Sequence, residues 1–200
     1  MQTLRQRKKA ESRQNMLDTA KQLFIKNGYS KTTMEDIAEQ AGFGVATLYN
    51  YFKTKEGMFA AMAHDDMSEI KAQGKTVLEN LPDDPVKGVL ALLKTYLKVY
   101  DYISYAVMQE FIIQIKTNGP LHDISEWSIN WQRDQMKVVL DTAKASGRLN
   151  SALDTGLMSY VLIDLFIRYN QRISNDRNDK HQFSELRKII NLVLEGWQSK

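Results

Sequence analysis

Along this chain apolar residues return every three or four positions, the spacing that lines one side of an α-helix, and strand-type alternation is almost absent. Met16, Leu17, Ala20, Leu23 and Phe24 form the first such face. Ser12 is placed to cap its helix and Gly28 to end it. Thr33, with Asp36 three residues on, predicts a capped helix start; Ile37, Ala38 and Ala41 form the inner side and Gly42 the stop. A second short helix is expected over about 45–51, and Thr54 caps a fourth over about 55–79. Leu81-Pro82 breaks the pattern, and Asp84 followed by Pro85 restarts it as N-cap and first helical residue. Helix is then expected over 86–116, with a bend near 101–104, up to the stop at Asn118-Gly119-Pro120.

Three further segments complete the pattern. One spans about 124–145 and ends at Gly147, and a very apolar one over 157–173 starts at Asp154 or Thr155. The stretch 174–182 is polar and aperiodic, so it reads as a loop. Ser184 caps a last helix with Leu186, Ile189, Ile190, Val193, Leu194 and Trp197 on one side. The fold class is all-α with about nine helices, three short ones followed by longer ones. The expected division is an N-terminal domain over 1–54 and a C-terminal helical domain over 55–200, with 55–80 as the connecting helix.

Composition narrows the function classes. Cysteine is absent from the 200 residues, which excludes disulfides, thiolate metal sites and a cysteine nucleophile, and suits a cytoplasmic protein. No apolar run reaches the roughly 18 residues a bilayer requires, and the basic start of the chain lacks the apolar stretch of a signal peptide. The net charge of +3 is uneven: residues 1–60 hold ten Lys/Arg against six Asp/Glu, whereas the remainder holds 17 against 18. The basic excess therefore sits in the first third, where an anion-binding surface belongs.

That third contains the informative motif, Thr33-Met-Glu-Asp-Ile-Ala-Glu-Gln-Ala-Gly-Phe-Gly-Val-Ala-Thr-Leu-Tyr-Asn-Tyr-Phe52, followed by Lys53-Thr54-Lys55. It is a short helix, a glycine turn and a second short helix. A helix that reads a major groove brings its N-terminal part to the base edges. Gly44, Val45 and Ala46 are small enough for close approach, Thr47 offers a hydroxyl and a methyl, and Tyr49, Asn50 and Tyr51 offer polar tips. Leu48 and Phe52 point the other way, into a core with Ile37 and Ala41. Thr33 and the free amides of its helix start suit a phosphate oxygen. Lys53 and Lys55 add positive charge beside the second helix, and Arg5, Lys8 and Lys9 add more from a flexible arm.

At these residues the chain resembles the tetracycline-repressor (TetR/AcrR) family. The matching pattern is Thr32-Thr33-Met34, Asp36-Ile37-Ala38, Ala41-Gly42, Thr47-Leu48-Tyr49-Asn50-Tyr51-Phe52-Lys53-Thr54-Lys55-Glu56 and Phe59, within about residues 12–62. The resemblance implies an all-α homodimer with an N-terminal DNA-binding domain and a C-terminal ligand-binding and dimerisation domain. It implies DNA contacts at Thr33, Gly44, Val45, Ala46, Thr47, Tyr49, Tyr51 and Lys55. Many members carry serine where this chain has Gly44, and a basic or polar residue where it has Val45.

The remainder is rich in aromatic and methionine residues. Each is most simply core, but together Tyr96, Tyr100, Met108, Phe111, Trp127, Trp131 and Phe166 suit a pocket between helices for an unidentified small-molecule effector. Glu110 and Asp164, if buried among them, favour a cationic effector. Val161 and Leu165 on one helix, with Ile189, Val193, Leu194 and Trp197 on the last, suit a four-helix dimer interface. The expected function is a ligand-responsive regulator that binds a palindromic operator in double-stranded DNA as a homodimer, a repressor by the leaning of the family. An all-α enzyme and a helical ligand carrier are the rival classes. Against the enzyme, His64, His122 and His181 stand far apart with no metal-ligand spacing, and no phosphate loop or nucleophile elbow is present. No cofactor, metal or membrane partner is expected.

Overall fold

A computed structural model describes residues 3–98, 119–173 and 182–198. Eight helices fall among them: α1 (Leu4–Asn27), α2 (Met34–Ala41), α3 (Val45–Phe52), α4 (Lys55–Glu79), α5 (Pro85–Leu97), α6 (Gly119–Ala145), α7 (Thr155–Ile173) and α8 (Gln182–Glu195). The described residues contain no strand, only an isolated bridge between Leu149 and Gln198. None of the described helices is long and apolar enough to cross a membrane.

Most helix boundaries follow local chemistry visible in the sequence. The Thr33 hydroxyl accepts from the Asp36 N–H at 3.1 Å, and the Asp36 carboxylate accepts from the Thr33 N–H at 2.9 Å, a complete capping box. Gly42 ends α2 at φ +74°, a left-handed conformation that a β-carbon would strain. Thr54 accepts from the Gly57 N–H at 2.9 Å at the start of α4. Asp84 accepts from the Val86 N–H at 2.8 Å, with Pro85 in the first turn of α5. Asp154 accepts from the Leu157 N–H at 2.9 Å at the start of α7.

Three boundaries correct the sequence reading. α1 starts at Leu4 rather than beyond Ser12, because Thr3 and Gln6 form a capping box of their own; Ser12 lies inside the helix. Arg5, Lys8 and Lys9 are therefore helical and not a flexible arm. Gly119 and Pro120 lie in the first turn of α6, ahead of the expected start near 124, since proline is accommodated in a first helical turn; the segment expected to stop at 118–120 lies outside the described residues. Ser184 lies within α8, which begins at Gln182.

The described residues divide into two compact units. The first holds α1, α2, α3, the first half of α4 and the start of α6; the second holds the rest of α4 and α6 with α5, α7 and α8. In the first, Met16, Leu17, Phe24, Ile37, Leu48, Met58 and Phe59 are almost fully buried. Phe24, Tyr29 and Phe59 meet with ring centroids 5.1–5.7 Å apart, which holds the end of α1 and the start of α4 together. In the second, Val89, Leu92, Leu93, Met136, Leu140, Leu162, Ile163, Ile190 and Leu194 form the core, and α8 packs on α5 and α7.

Candidate DNA-binding surface

The two short helices are held by their apolar sides. Ile37 and Ala38 of α2 and Leu48 and Phe52 of α3 are buried. The burial of Leu48 and Phe52 fixes the rotation of α3 and sends its other residues outward. Gly44, Ala46 and Asn50 are exposed, Tyr49 is 42% exposed, and Val45, Thr47 and Tyr51 are half-buried. Gly44 is the N-cap of α3 and supplies no side-chain bond, so the first amides of α3 are left to another acceptor. Thr33 is also exposed, at the start of α2. The Asp36 carboxyl lies below its usual range, held down first by the Thr33 hydroxyl and then by the Thr33 N–H.

α3 ends in a tight γ-turn centred on Lys53. Lys53 has φ +66°, the positive φ of a described residue other than glycine, and the Thr54 N–H donates to the Phe52 carbonyl at 2.7 Å. Lys53 itself is exposed.

Lys55 is placed differently from its neighbours. It is half-buried, its ammonium donates to the carbonyls of Tyr29 and Thr32, each at 3.0 Å, and it stands 4.4 Å from the centre of the Tyr29 ring. Sequence spacing located this lysine at the start of α4 but gave no sign that it turns inward. Two ion pairs tie α1 to α4 in the same unit, Arg13 with Asp65 at 2.7 Å and Lys21 with Asp66 at 2.8 Å. A groove along α1 and α3, lined by Gln6, Lys9, Ala10, Arg13, Asn50 and Tyr51, was also not foreseen. The Thr3/Gln6 spacing was the signal that extended α1 to it.

In the second unit, Tyr96, Trp127, Trp131 and Phe166 form one aromatic cluster. Tyr96 lies 5.3 Å from Trp131 and 6.2 Å from Phe166, and Trp127 lies 6.1 Å from Trp131, between ring centroids. The Tyr96 hydroxyl donates to the Gln135 side chain at 3.0 Å, and burial pushes its pKa far above the ordinary tyrosine value. Tyr100, Met108, Glu110 and Phe111 lie outside the described residues. Asp164 is not buried beside the aromatics: its side chain is 52% exposed and pairs with Arg133 at 2.9 Å. Of the expected dimer residues, Val161 is 40% exposed, while Leu165, Ile189, Val193 and Trp197 are half-buried. Leu194 is fully buried within the chain and is core rather than interface; Leu192, which the periodicity left out, is 73% exposed.

A short helix, a left-handed glycine and a second short helix, with one side in the core and the other turned to solvent, define a helix-turn-helix protein, the class that lays its second helix in the major groove of DNA. Residues 16–62 match the family described as bacterial regulatory proteins, tetR family. The chain is 28% identical over 151 residues to the transcriptional repressor AcnR of Corynebacterium efficiens, covering 76% of this chain and 71% of that one. It is 27% identical over 143 residues to the regulator YvkB of Bacillus subtilis, covering 70% of each. Its fold matches a TetR transcription regulator of Haloarcula marismortui with TM-score 0.78 at 16% identity, over 95% of this chain and 100% of that one. Residues 16–62 are thus a tetR-family DNA-binding domain, and the chain is similar over most of its length to DNA-binding transcription regulators of that type.

Proposed function

We propose that this protein is a ligand-responsive repressor that binds a palindromic operator as a homodimer in the cytoplasm and leaves it when a small molecule binds. The observation that carries the reading is the rotation of α3: burial of Leu48 and Phe52 leaves Gly44, Ala46, Tyr49 and Asn50 exposed, with Thr47 and Tyr51 half-exposed beside them. In this reading the α3 residues from Gly44 to Thr47, with Tyr49, read base edges. Thr33, Asn50, Tyr51 and Lys53 position the helix on phosphates. Lys55 has two of its three donors on carbonyls, which leaves one for a phosphate.

A domain of α1–α3 followed by a helical effector and dimerisation domain remains the working division. The aromatic cluster of Tyr96, Trp127, Trp131 and Phe166 is the proposed effector region. With Asp164 turned to Arg133, a cationic effector loses the support of that residue. Dimerisation uses the outward sides of α7 and α8. Two recognition helices must lie about 34–36 Å apart, or a multiple of it, to meet successive major grooves, so an effector that changes this spacing lowers affinity. Repression is supported by the relative from Corynebacterium efficiens, whose name states it. A regulator is favoured over an enzyme or carrier because the exposed side of α3 has no packing role in its unit.

The test is fluorescence anisotropy with duplexes from the region upstream of the protein's own gene, over a range of salt. Affinity should fall steeply with salt and favour one sequence by orders of magnitude. A flat salt response with no preferred sequence would sink the reading.

A further inference from the structure

The first three turns of α1 lie outside the family match, which begins at residue 16. Residues 3–15 hold five Lys/Arg (Arg5, Arg7, Lys8, Lys9, Arg13) and one acidic residue, Glu11. Packing does not explain the stretch, since every residue from Thr3 to Glu11 is exposed. Electrostatics oppose it: the first turn has no acidic residue, and cations there meet the positive end of the helix dipole. A segment that works against a local rule without a packing gain is a place to look for function.

The second observation is the groove beside it. An open space of about 550 Å³ is lined by Gln6, Lys9, Ala10 and Arg13 of α1 and by Asn50 and Tyr51 of α3. The four α1 residues follow the spacing of one helix side. The Tyr51 hydroxyl donates to the Lys9 carbonyl at 3.5 Å, and the Lys9 ammonium stands 5.9 Å from the Tyr51 ring. The groove therefore adjoins the C-terminal end of α3. Arg13 is already paired with Asp65, but Lys9, and Arg5 one turn earlier on the same stripe, have no carboxylate partner among the described residues. An ammonium and two side-chain amides around an open groove suit an anion with several acceptor oxygens, as a phosphodiester has; the Tyr51 O–H is already committed to the Lys9 carbonyl.

We propose that this N-terminal extension of α1 is a second DNA-binding element. The groove seats a backbone phosphate bordering the major groove that α3 reads, held by Lys9, and Arg5 takes a phosphate further out. The inference rests on α3 being the recognition helix. Because the extension is helical, its position beside α3 is set, so it dictates where duplex must continue but not which bases follow. The protein then requires DNA beyond the bases it reads, without regard to their sequence.

The test uses the full-length protein. Selection from randomised duplexes gives a core sequence, which is then placed in duplexes with short or long random flanks. Wild type should bind the long-flank duplex about tenfold more tightly, and Arg5→Ala/Lys9→Ala should lose that gain. With two cations lost per protomer, the slope of log affinity against log salt should become shallower by about three to four per dimer. Helix content should not fall, since alanine favours a helix, and Lys9→Arg should keep most of the flank effect. A double variant with wild-type slope and wild-type flank dependence overturns the proposal while leaving α3 as the reader. Failure of the selection to enrich any core overturns the DNA reading itself, and this proposal with it.

Discussion

The Lys55 ammonium donates to the Tyr29 carbonyl at 3.0 Å and lies 4.4 Å from the centre of that residue's ring. A second bond, to the Thr32 carbonyl, holds the far end of the same loop. Lys55 thus ties the first turn of α4 to the segment that presents Thr33. Lys55→Met should cost about 1–3 kcal/mol, because hydrogen bonds from a charged donor are lost and two carbonyls are left without partners. Operator affinity should fall with it, through displacement of Thr33. Exposed Lys53 is the contrast: Lys53→Ala should weaken DNA binding and leave the melting temperature nearly unchanged. Equal melting temperatures for Lys55→Met and wild type would show that the tie carries no stability.

A capping box can be titrated. The Asp36 carboxyl is held below its usual range by the Thr33 hydroxyl and then by the Thr33 N–H. A carboxyl depressed in the folded state stabilises it above the unfolded pKa of about 3.9, and that contribution disappears as pH falls through the folded value. Wild type should therefore lose stability below about pH 4, and Asp36→Asn should flatten that part of the profile. Thermal melts between neutral pH and pH 2 give the comparison, and parallel profiles for the two proteins would exclude the effect. Thr33→Ala should cost about 1 kcal/mol at neutral pH.

Gly57 sits where the γ-turn leaves no room. A β-carbon on it would fall well inside contact distance of the Phe52 carbonyl oxygen, the acceptor in that turn. Backbone cannot move aside as a long side chain can. Gly57→Ala should destabilise by about 1–3 kcal/mol and shift α3 against α4. Urea denaturation measures the first effect and operator affinity the second. A fully stable Gly57→Ala protein would mean that the turn relaxes freely.

These residues also show how far a sequence reaches. Thr33 and Asp36 bond each other three residues apart and Gly42 bonds back to the Ala38 carbonyl, so α2 was legible from spacing alone, and Leu48 with Phe52 gave the rotation of α3. The start of α1 was missed because periodicity detects a helix by its buried side, and residues 3–11 have none. Lys55 was read as a surface charge because its partners, the carbonyls of Tyr29 and Thr32, carry no residue-type signal. Burial of Asp164 among the aromatics was left as a condition because a helix sequence gives angular spacing without saying which neighbour lies on which side; the structure pairs it with Arg133 instead.

The last helix poses that problem in its sharpest form. Periodicity groups Ile189, Ile190, Val193, Leu194 and Trp197, but Ile190 and Leu194 are fully buried within the chain while Leu192 stands 73% exposed. On α7 the exposed apolar residues are Leu157, Tyr160 and Val161, at the spacing of one helix side. The Tyr160 ring is covered by the Arg133 guanidinium at 4.0 Å, and Arg133 also pairs with Asp164. If these sides of α7 and α8 are the dimer surface, a charge there should split the dimer without unfolding the protomer. Val161→Glu with Leu192→Glu should sediment as a folded monomer and bind operator far more weakly, having lost the paired half-site. Leu194→Ala should behave oppositely: about 2–5 kcal/mol less stable, from the cavity it leaves, but dimeric while folded. Analytical ultracentrifugation with thermal melts separates the two variants. A Val161→Glu/Leu192→Glu protein that remains a dimer would place the interface elsewhere on the chain.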